Sequence, residues 1–373
     1  MTGNTPFFHA DHVGSLLRPQ RLHEARAAWH AGRIDAAALA AVEDECIAEA
    51  VKMQEVAGLE SVTDGEFRRE NWWIRFIGAI EGVEITEPVA DDAFEQNPDH
   101  GGGYLPKGVK ITGKLGGSGN ISVRDFDFLR RTTKRTAKMT LPSPTRMVYY
   151  GGRDVVDRDA YPTMDDFWSD VATVYQREIA ALEAAGCSYI QIDDPVLTYF
   201  LDERIRGEMS AAGQDPDEQL AIYGDAINAC ISTRSPDTYL SLHLCRGNAA
   251  SLWNAEGSYD RMAKSLFPRM NVDAWFLEYD DARSGGFEPL RHMPADKKVV
   301  LGLVTTKTGR MENADELRAR VAEAAKIVPL ERLGLSPQCG FASDHLGNRI
   351  TLEDEIAKLR LVVETASEVW GTD

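Results

Sequence analysis

The sequence carries four side chains of the kinds that hold a soft metal, each at or just past the end of a short apolar, β-rich run. In SLHLC, His243 and Cys245 stand two residues apart, so on a strand both point to one face. WFLEYDD supplies Glu278 and GLSPQCG supplies Cys339. One imidazole, two thiolates and a carboxylate make a tetrahedral Zn(2+) shell. A His-x-Cys pair by itself is equally the mark of a buried histidine beside a structural cysteine. All four falling at run ends is what favours a metal. Two thiolates and a carboxylate leave such a zinc site with a net negative charge. That makes it a poor activator of water. It suits a bound exogenous thiol, which loses its proton while the sulfur stays nucleophilic.

Other run ends offer carboxylates. TDGEFRRENWW presents Asp64 and Glu66, and IQIDDP presents Asp193 and Asp194. Pointed into one mouth, they would hold the ammonium group of an amino-acid substrate; pointed elsewhere, they would pair with Arg68, Arg69 or Arg75. In DHVGSLLRP, Gly14 and Ser15 offer backbone and hydroxyl contacts for a carboxylate, or else make a tight turn.

The elements that must position these groups alternate in type. Strands are expected near residues 9–15, 59–66, 138–143, 188–193, 239–245, 274–279, 298–304 and 333–339. Helices are expected near 36–57, 164–185, 215–233, 313–327 and 351–369. In the last, Leu352, Ile356, Leu359, Val362 and Val363 recur at helical spacing. Asn313 and Glu316 read as a capping box. Strands alternating with helices imply a parallel sheet, and eight strands close a (β/α)8 TIM barrel. An open doubly wound sheet would want a Gly-rich phosphate turn after an early strand, and none has that spacing. Barrel active sites form at the C-terminal strand ends, where the reactive residues fall. The Gly-rich stretch from about 82 to 120 interrupts the rhythm after the second strand and reads as a hairpin insertion over the mouth.

The chain has 373 residues, enough for one elaborated barrel of about 250 residues plus insertions, so residues 1–373 are expected to form a single domain. A net charge of -18 argues against nucleic acid or an anionic membrane surface as partner. No apolar run approaches the roughly 18 residues of a membrane span, and no signal peptide is evident at the start. Five cysteines, an odd number without a CxxC pair, are not a disulfide framework and suit a reducing, cytoplasmic setting.

At these residues the chain resembles the catalytic C-terminal half of cobalamin-independent methionine synthase. The resemblance runs from DHVGS through DGEFRRE, IQIDDP, HLC and FLEY to PQCG. It implies that His243, Cys245, Glu278 and Cys339 bind zinc. It also implies that Val13 and Ser15 hold the carboxylate of homocysteine, and that Glu66 and Asp193 hold its amino group. The implied activity is transfer of a methyl group to homocysteine, giving methionine. Three departures stand out. The family's N-terminal barrel, which helps hold a polyglutamyl folate, has no counterpart in a chain about half the size. In VLGLVTTKTG, Lys307 occupies the place of the family's general-acid histidine, and in LPSPTRMVYY, Tyr150 falls near its pterin-stacking aromatic. The alkyl donor is therefore open among methyltetrahydrofolate, methylcobalamin and a small methylated metabolite. The leaving group's proton is expected from Lys307 or from His12, the latter at the end of the first strand beside the thiol. Single-barrel relatives include an enzyme that opens epoxides with coenzyme M, which is the alternative activity. A zinc storage or sensor protein is the non-enzymatic alternative. Glu66 and Asp193 weigh against the first, and the polar mouth against the second.

Overall fold

A computed structural model describes residues 7–88, 107–117 and 119–371. Seven parallel strands form one sheet, β1 (Ser61–Val62), β4 (Thr136–Pro142), β5 (Tyr189–Asp193), β6 (Tyr239–Leu244), β7 (Ala274–Glu278), β8 (Lys298–Val304) and β9 (Leu333–Pro337), in that order. Two more, β2 (Glu81–Pro88) and β3 (Lys107–Gly116), pair antiparallel as a separate hairpin. Strands β5, β6, β7 and β9 are buried at every residue. One side of each faces the interior and the other faces helices, which is why runs such as YLSLHL are apolar almost throughout. The longer helices are α1 (Gln20–His30), α2 (Ala36–Ala57), α3 (Val123–Thr132), α4 (Met164–Ala184), α5 (Pro216–Ile231), α6 (Ala314–Ala324) and α7 (Leu352–Trp370). Asn313 caps α6, accepting from the backbone N–H groups of Asp315 and Glu316. The reciprocal capping box forms instead on α7, between Thr351 and Asp354.

Two expected strands are much shorter than their apolar runs. The segment 9–15 makes a single parallel bridge, Ala10 with Leu335. Its other side meets the chain around β1: Leu16 N–H donates to Gly65 O at 3.1 Å, and Thr63 Oγ1 to Gly14 O at 2.6 Å. The segment thereby fills the gap between β9 and β1 and completes the TIM-type barrel. Around β1, the side chain of Gln54 on α2 takes the ladder's place, accepting from Thr63 N–H at 2.9 Å and donating to Thr63 O at 2.9 Å. A backbone group satisfied by a side chain is lost to the strand.

The 82–120 insertion is a hairpin where it is described; residues 89–106 and 118 of it lie outside the described residues. It rests against α4. Leu115 N–H meets Tyr161 Oη at 2.6 Å, and Lys114 Nζ lies 3.7 Å from Asp170. Its inner end touches the barrel mouth, where Arg146 donates to Lys107 O at 2.7 Å. Among the described residues no helix is long and apolar enough to cross a membrane.

Candidate active site

Parallel pairing sets the site's register. Asp193 of β5 lies opposite His243 of β6, so the last residues of neighbouring strands stand side by side at one end of the sheet. Cys245 follows β6 and Cys339 follows β9. The ligand atoms of His243, Cys245 and Cys339 all lie within 4.8 Å of one another, and all three residues are buried. Neither ring nitrogen of His243 has a hydrogen-bond partner. A buried imidazole left so, beside two thiols, is a donor set that fits a soft divalent metal such as zinc. The two thiols are pushed in opposite directions. Cys245 and His243 together pull the Cys339 thiol well down from its ordinary range. Cys339 in turn, together with burial, pushes Cys245 up. Burial works against a charged His243, but Cys339, Asp193 and Glu278 outweigh it and raise its pKa.

These residues form one wall of a cavity of about 790 Å³, counting its solvent-open mouth. Val13, Ser15, Glu66, Asp193 and Tyr150 line the same cavity. Glu66 sits in the left-handed backbone region at φ 61°, which costs a non-glycine residue about 1 kcal/mol or more. Asp64 Oδ1 accepts its N–H at 2.9 Å and helps hold that turn. Glu66 Oε1 accepts from Thr140 Oγ1 at 2.6 Å and lies 3.3 Å from Arg69, whereas Oε2 is buried with no partner. One oxygen of this carboxylate therefore faces an arginine and the other has no partner. Burial pushes the Asp193 carboxyl up to about 7, with His243 opposing and Glu66 adding to it. Asp64 and Asp194, in contrast, brace backbone and side chains: Asp194 accepts from Thr145 Oγ1 at 2.8 Å and Leu197 N–H at 2.8 Å. A Cβ on Gly340 would fall on Ser15 Oγ, so glycine is what lets Ser15 lie against the loop of Cys339.

Three expected residues lie elsewhere. Glu278 ends β7 but is not part of the three-residue cluster. Its Oε2 accepts Arg246 N–H at 2.7 Å, and its Oε1 lies 3.3 Å from Arg283 and 3.5 Å from Lys307. Lys307 lines a different, polar cleft, together with Trp253, Asp280, Arg283 and Arg349. Burial disfavours its charge, but Asp280 and Glu278 prevail and raise its pKa, which makes it a weaker acid still. His12 does not line the thiol cavity at all. It is 1% exposed, and burial, with Lys138, lowers its pKa to about 4. The expectation that His12 delivers a proton beside the thiol is corrected accordingly. Period two explains the placement: Val13 and Ser15 face the cavity, so His12 faces away from it.

Over residues 8–368 the sequence matches the family model described as "Cobalamin-independent synthase, Catalytic domain". The chain belongs to this family. It is 42% identical to the uncharacterized protein YxjG of Bacillus subtilis, across 98% of this chain and 95% of that one. It is 26% identical to the 5-methyltetrahydropteroyltriglutamate--homocysteine methyltransferase of Streptomyces avermitilis, across 96% of this chain but 42% of that one. Among solved structures it is similar to the putative vitamin-B12 independent methionine synthase of Listeria monocytogenes, with 35% identity, 98% of both chains covered and a TM-score of 0.77. It shares its fold with a B12-independent methionine synthase from a Shewanella species solved in complex with selenomethionine, at 22% identity, 98% coverage of both and a TM-score of 0.72.

Several residues that shape this synthase-family site carry no motif. Arg18 is buried and donates to four carbonyls, those of Ala342 and Asp344 after β9 and of Glu66 and Arg69 after β1. It clamps together the two loops that carry Glu66 and Cys339. Asn248 ties the loop after β6 to Gly340 O at 2.8 Å. Arg146 lies over Trp73 at 3.9 Å and Tyr150 at 4.6 Å, joining the hairpin to the cavity rim.

Proposed function

We propose that this chain is a zinc-dependent S-methyltransferase that moves a methyl group onto the sulfur of homocysteine, in the cytosol. The observation that supports this best is the shared cavity, in which three soft metal-binding side chains face Glu66 with its unpartnered carboxylate oxygen. His243, Cys245 and Cys339 would hold the zinc, with Glu278 as a fourth ligand. Zinc, when bound, supplies the Lewis acidity that lets a thiol give up its proton near neutrality and keep a nucleophilic sulfur.

The chain's own residues select and orient the thiol. An ammonium group donating to Glu66 Oε2 satisfies an oxygen whose burial without a partner is otherwise costly, and Asp193 shares that charge. Ser15 Oγ and the turn at Val13 receive the carboxylate. Holding the amino acid at both charged groups leaves its sulfur directed at the His243, Cys245 and Cys339 wall. Trp72, Trp73 and Tyr199 give the cavity large aromatic walls. A thiol with no amine, such as mercaptoethanesulfonate, would leave both carboxylates unanswered, which favours homocysteine over epoxide opening of the coenzyme M kind.

The test uses the zinc-loaded protein, homocysteine and a panel of methyl donors, with products read by mass. X-ray absorption at the zinc edge should show one more sulfur neighbour at about 2.3 Å when homocysteine is added. An unchanged metal shell under saturating homocysteine, with no methionine from any donor, would overturn the reading.

A further inference from the structure

The polar cleft lined by Lys307 encloses about 1520 Å³ counting its open mouth. Arg283, Arg310 and Arg349 line it as well, so cations converge here in a chain whose formal charge is -18. The acids of the lining are already engaged. Buried Lys358 donates to both oxygens of Glu312, at 3.1 and 2.9 Å. Arg283 Nε meets both oxygens of Asp281, at 3.0 and 2.8 Å. Asp280 lies 3.5 Å from Lys307. The cations are not used up in return. Exposed arginines elsewhere, such as Arg158, Arg204, Arg261 and Arg269, each pair with a nearby acid. Arg310 and Arg349 are exposed too, yet their guanidinium groups make no ion pair among the described residues. Deeper in, Arg283 keeps Nη1 without a hydrogen-bond partner. Lys307 reaches Asp280 and Glu278 only at 3.5 Å each, longer than the roughly 2.9 Å of an ordinary N–H···O bond.

We infer that this cleft binds a multiply charged oxyanion, a phosphate ester or a polycarboxylate, held by Arg310 and Arg349 and reaching in to Lys307 and Arg283. Guanidinium forks match the paired oxygens of phosphate and carboxylate, and the two at the mouth have no acid to give up first. A chain this acidic repels anions in general, so an anion that binds must do so at a local cluster of cations. The occupant competes with Glu278. Lys307 and Arg283 both lie against Glu278 Oε1, at 3.5 and 3.3 Å, and an oxyanion that draws on their N–H groups loosens that carboxylate. The cleft and the thiol cavity share no lining residue, so this carboxylate at the end of β7 is what links them. The coupling is reciprocal: whatever takes Glu278 away from the two cations tightens the anion. Binding of this kind needs neither zinc nor homocysteine.

Calorimetry on the full chain, with glycerol 2-phosphate and with tricarballylate, tests it. At least one of the two should bind saturably, and the tighter names the source of the charge. Arg310→Glu and Arg349→Glu, both at exposed positions, should each weaken binding about tenfold or more, through a lost charge-assisted hydrogen bond and added repulsion. Arg33→Glu makes the same change of charge at an exposed position outside the cleft and should leave binding as it is. Glu278→Gln releases Lys307 and Arg283 and should tighten binding severalfold, whereas Lys307→Met removes a shared cation and should weaken it. Thermal melts check that each variant keeps its fold. Failure of both anions to bind, or binding indifferent to Arg310→Glu and Arg349→Glu, or weakened as much by Arg33→Glu, would overturn the site. Binding indifferent to both Glu278→Gln and Lys307→Met would overturn the competition with Glu278.

Discussion

The Lys307 ammonium lies 3.5 Å from Glu278 Oε1, and Arg283 lies 3.3 Å from the same oxygen. With Arg246 N–H on its other oxygen, Glu278 is held outside the His243, Cys245 and Cys339 cluster. Lys307→Met removes one of these holders and a positive charge from beside a metal site. Zinc should then bind more tightly, by about tenfold, because both changes favour a divalent cation nearby. Competition with a chelator measures it, and unchanged or weaker binding would show that Lys307 does not restrain the carboxylate.

Zinc itself should depend on the two cysteines. Cys245→Ser or Cys339→Ser should lose most of the metal at one equivalent per chain, read by elemental analysis. Serine replaces a soft thiolate with a hard, protonated oxygen. Full retention in both variants would place the metal elsewhere.

Glu66→Gln should cost homocysteine turnover about a hundredfold in kcat/KM, the scale of a lost charge-assisted hydrogen bond of about 2–3 kcal/mol. A thiol lacking the amine should lose far less, so the preference between the two should shrink. The comparison separates recognition from folding, since a misfolded variant loses both equally.

The metal-type residues were legible because parallel strands deliver their last residues to one end, and two-residue spacing keeps His243 and Cys245 on one face. The same rule, applied once more, places His12 opposite Val13 and Ser15, so its exclusion from the cavity was also implicit in the sequence. Other features were not. The left-handed turn at Glu66 depends on Asp64 and on Arg18, and Arg18 acts through carbonyls as far as 326 residues away. Backbone carbonyls have no residue type, so such a clamp leaves no pattern. The shortening of β1 to Ser61–Val62 likewise depends on a helix side chain, Gln54, taking the ladder's hydrogen bonds. The grip of Lys307 and Arg283 on Glu278 depends on how loops after β7 and β8 fold back.

Stability should fall as pH rises, through Glu355. This residue of α7 is fully buried, accepts Leu17 N–H at 2.8 Å through one oxygen and has no partner at the other. Burial pushes its carboxyl from 4.5 up to about 8. The folded state therefore holds a proton that the unfolded chain has released, and the stability gained below pH 4.5 is lost between there and about 8. The loss from this one group is on the order of 5 kcal/mol at most. Denaturant melts at pH 5, 7 and 9 should show the decline, and Glu355→Gln should flatten it. A wild-type slope unaffected by the substitution would place the titration elsewhere.

His9 Nδ1 reaches Leu333 O at 2.7 Å across 324 residues of sequence, beside the single bridge that seals the barrel. Contacts of such separation form late, because the chain between them must be ordered before they hold. During synthesis, β4 to β8 can assemble in order, each on its predecessor. Ser15 and Cys339 cannot meet until the last strand has emerged and met the first segment. A ribosome-bound chain offers His243 and Cys245 well before Cys339 exists. On the zinc reading proposed above, firm metal capture would come at the end of folding, and any change that opens this seam would part the Cys339 loop from the turn at Ser15 in the same event.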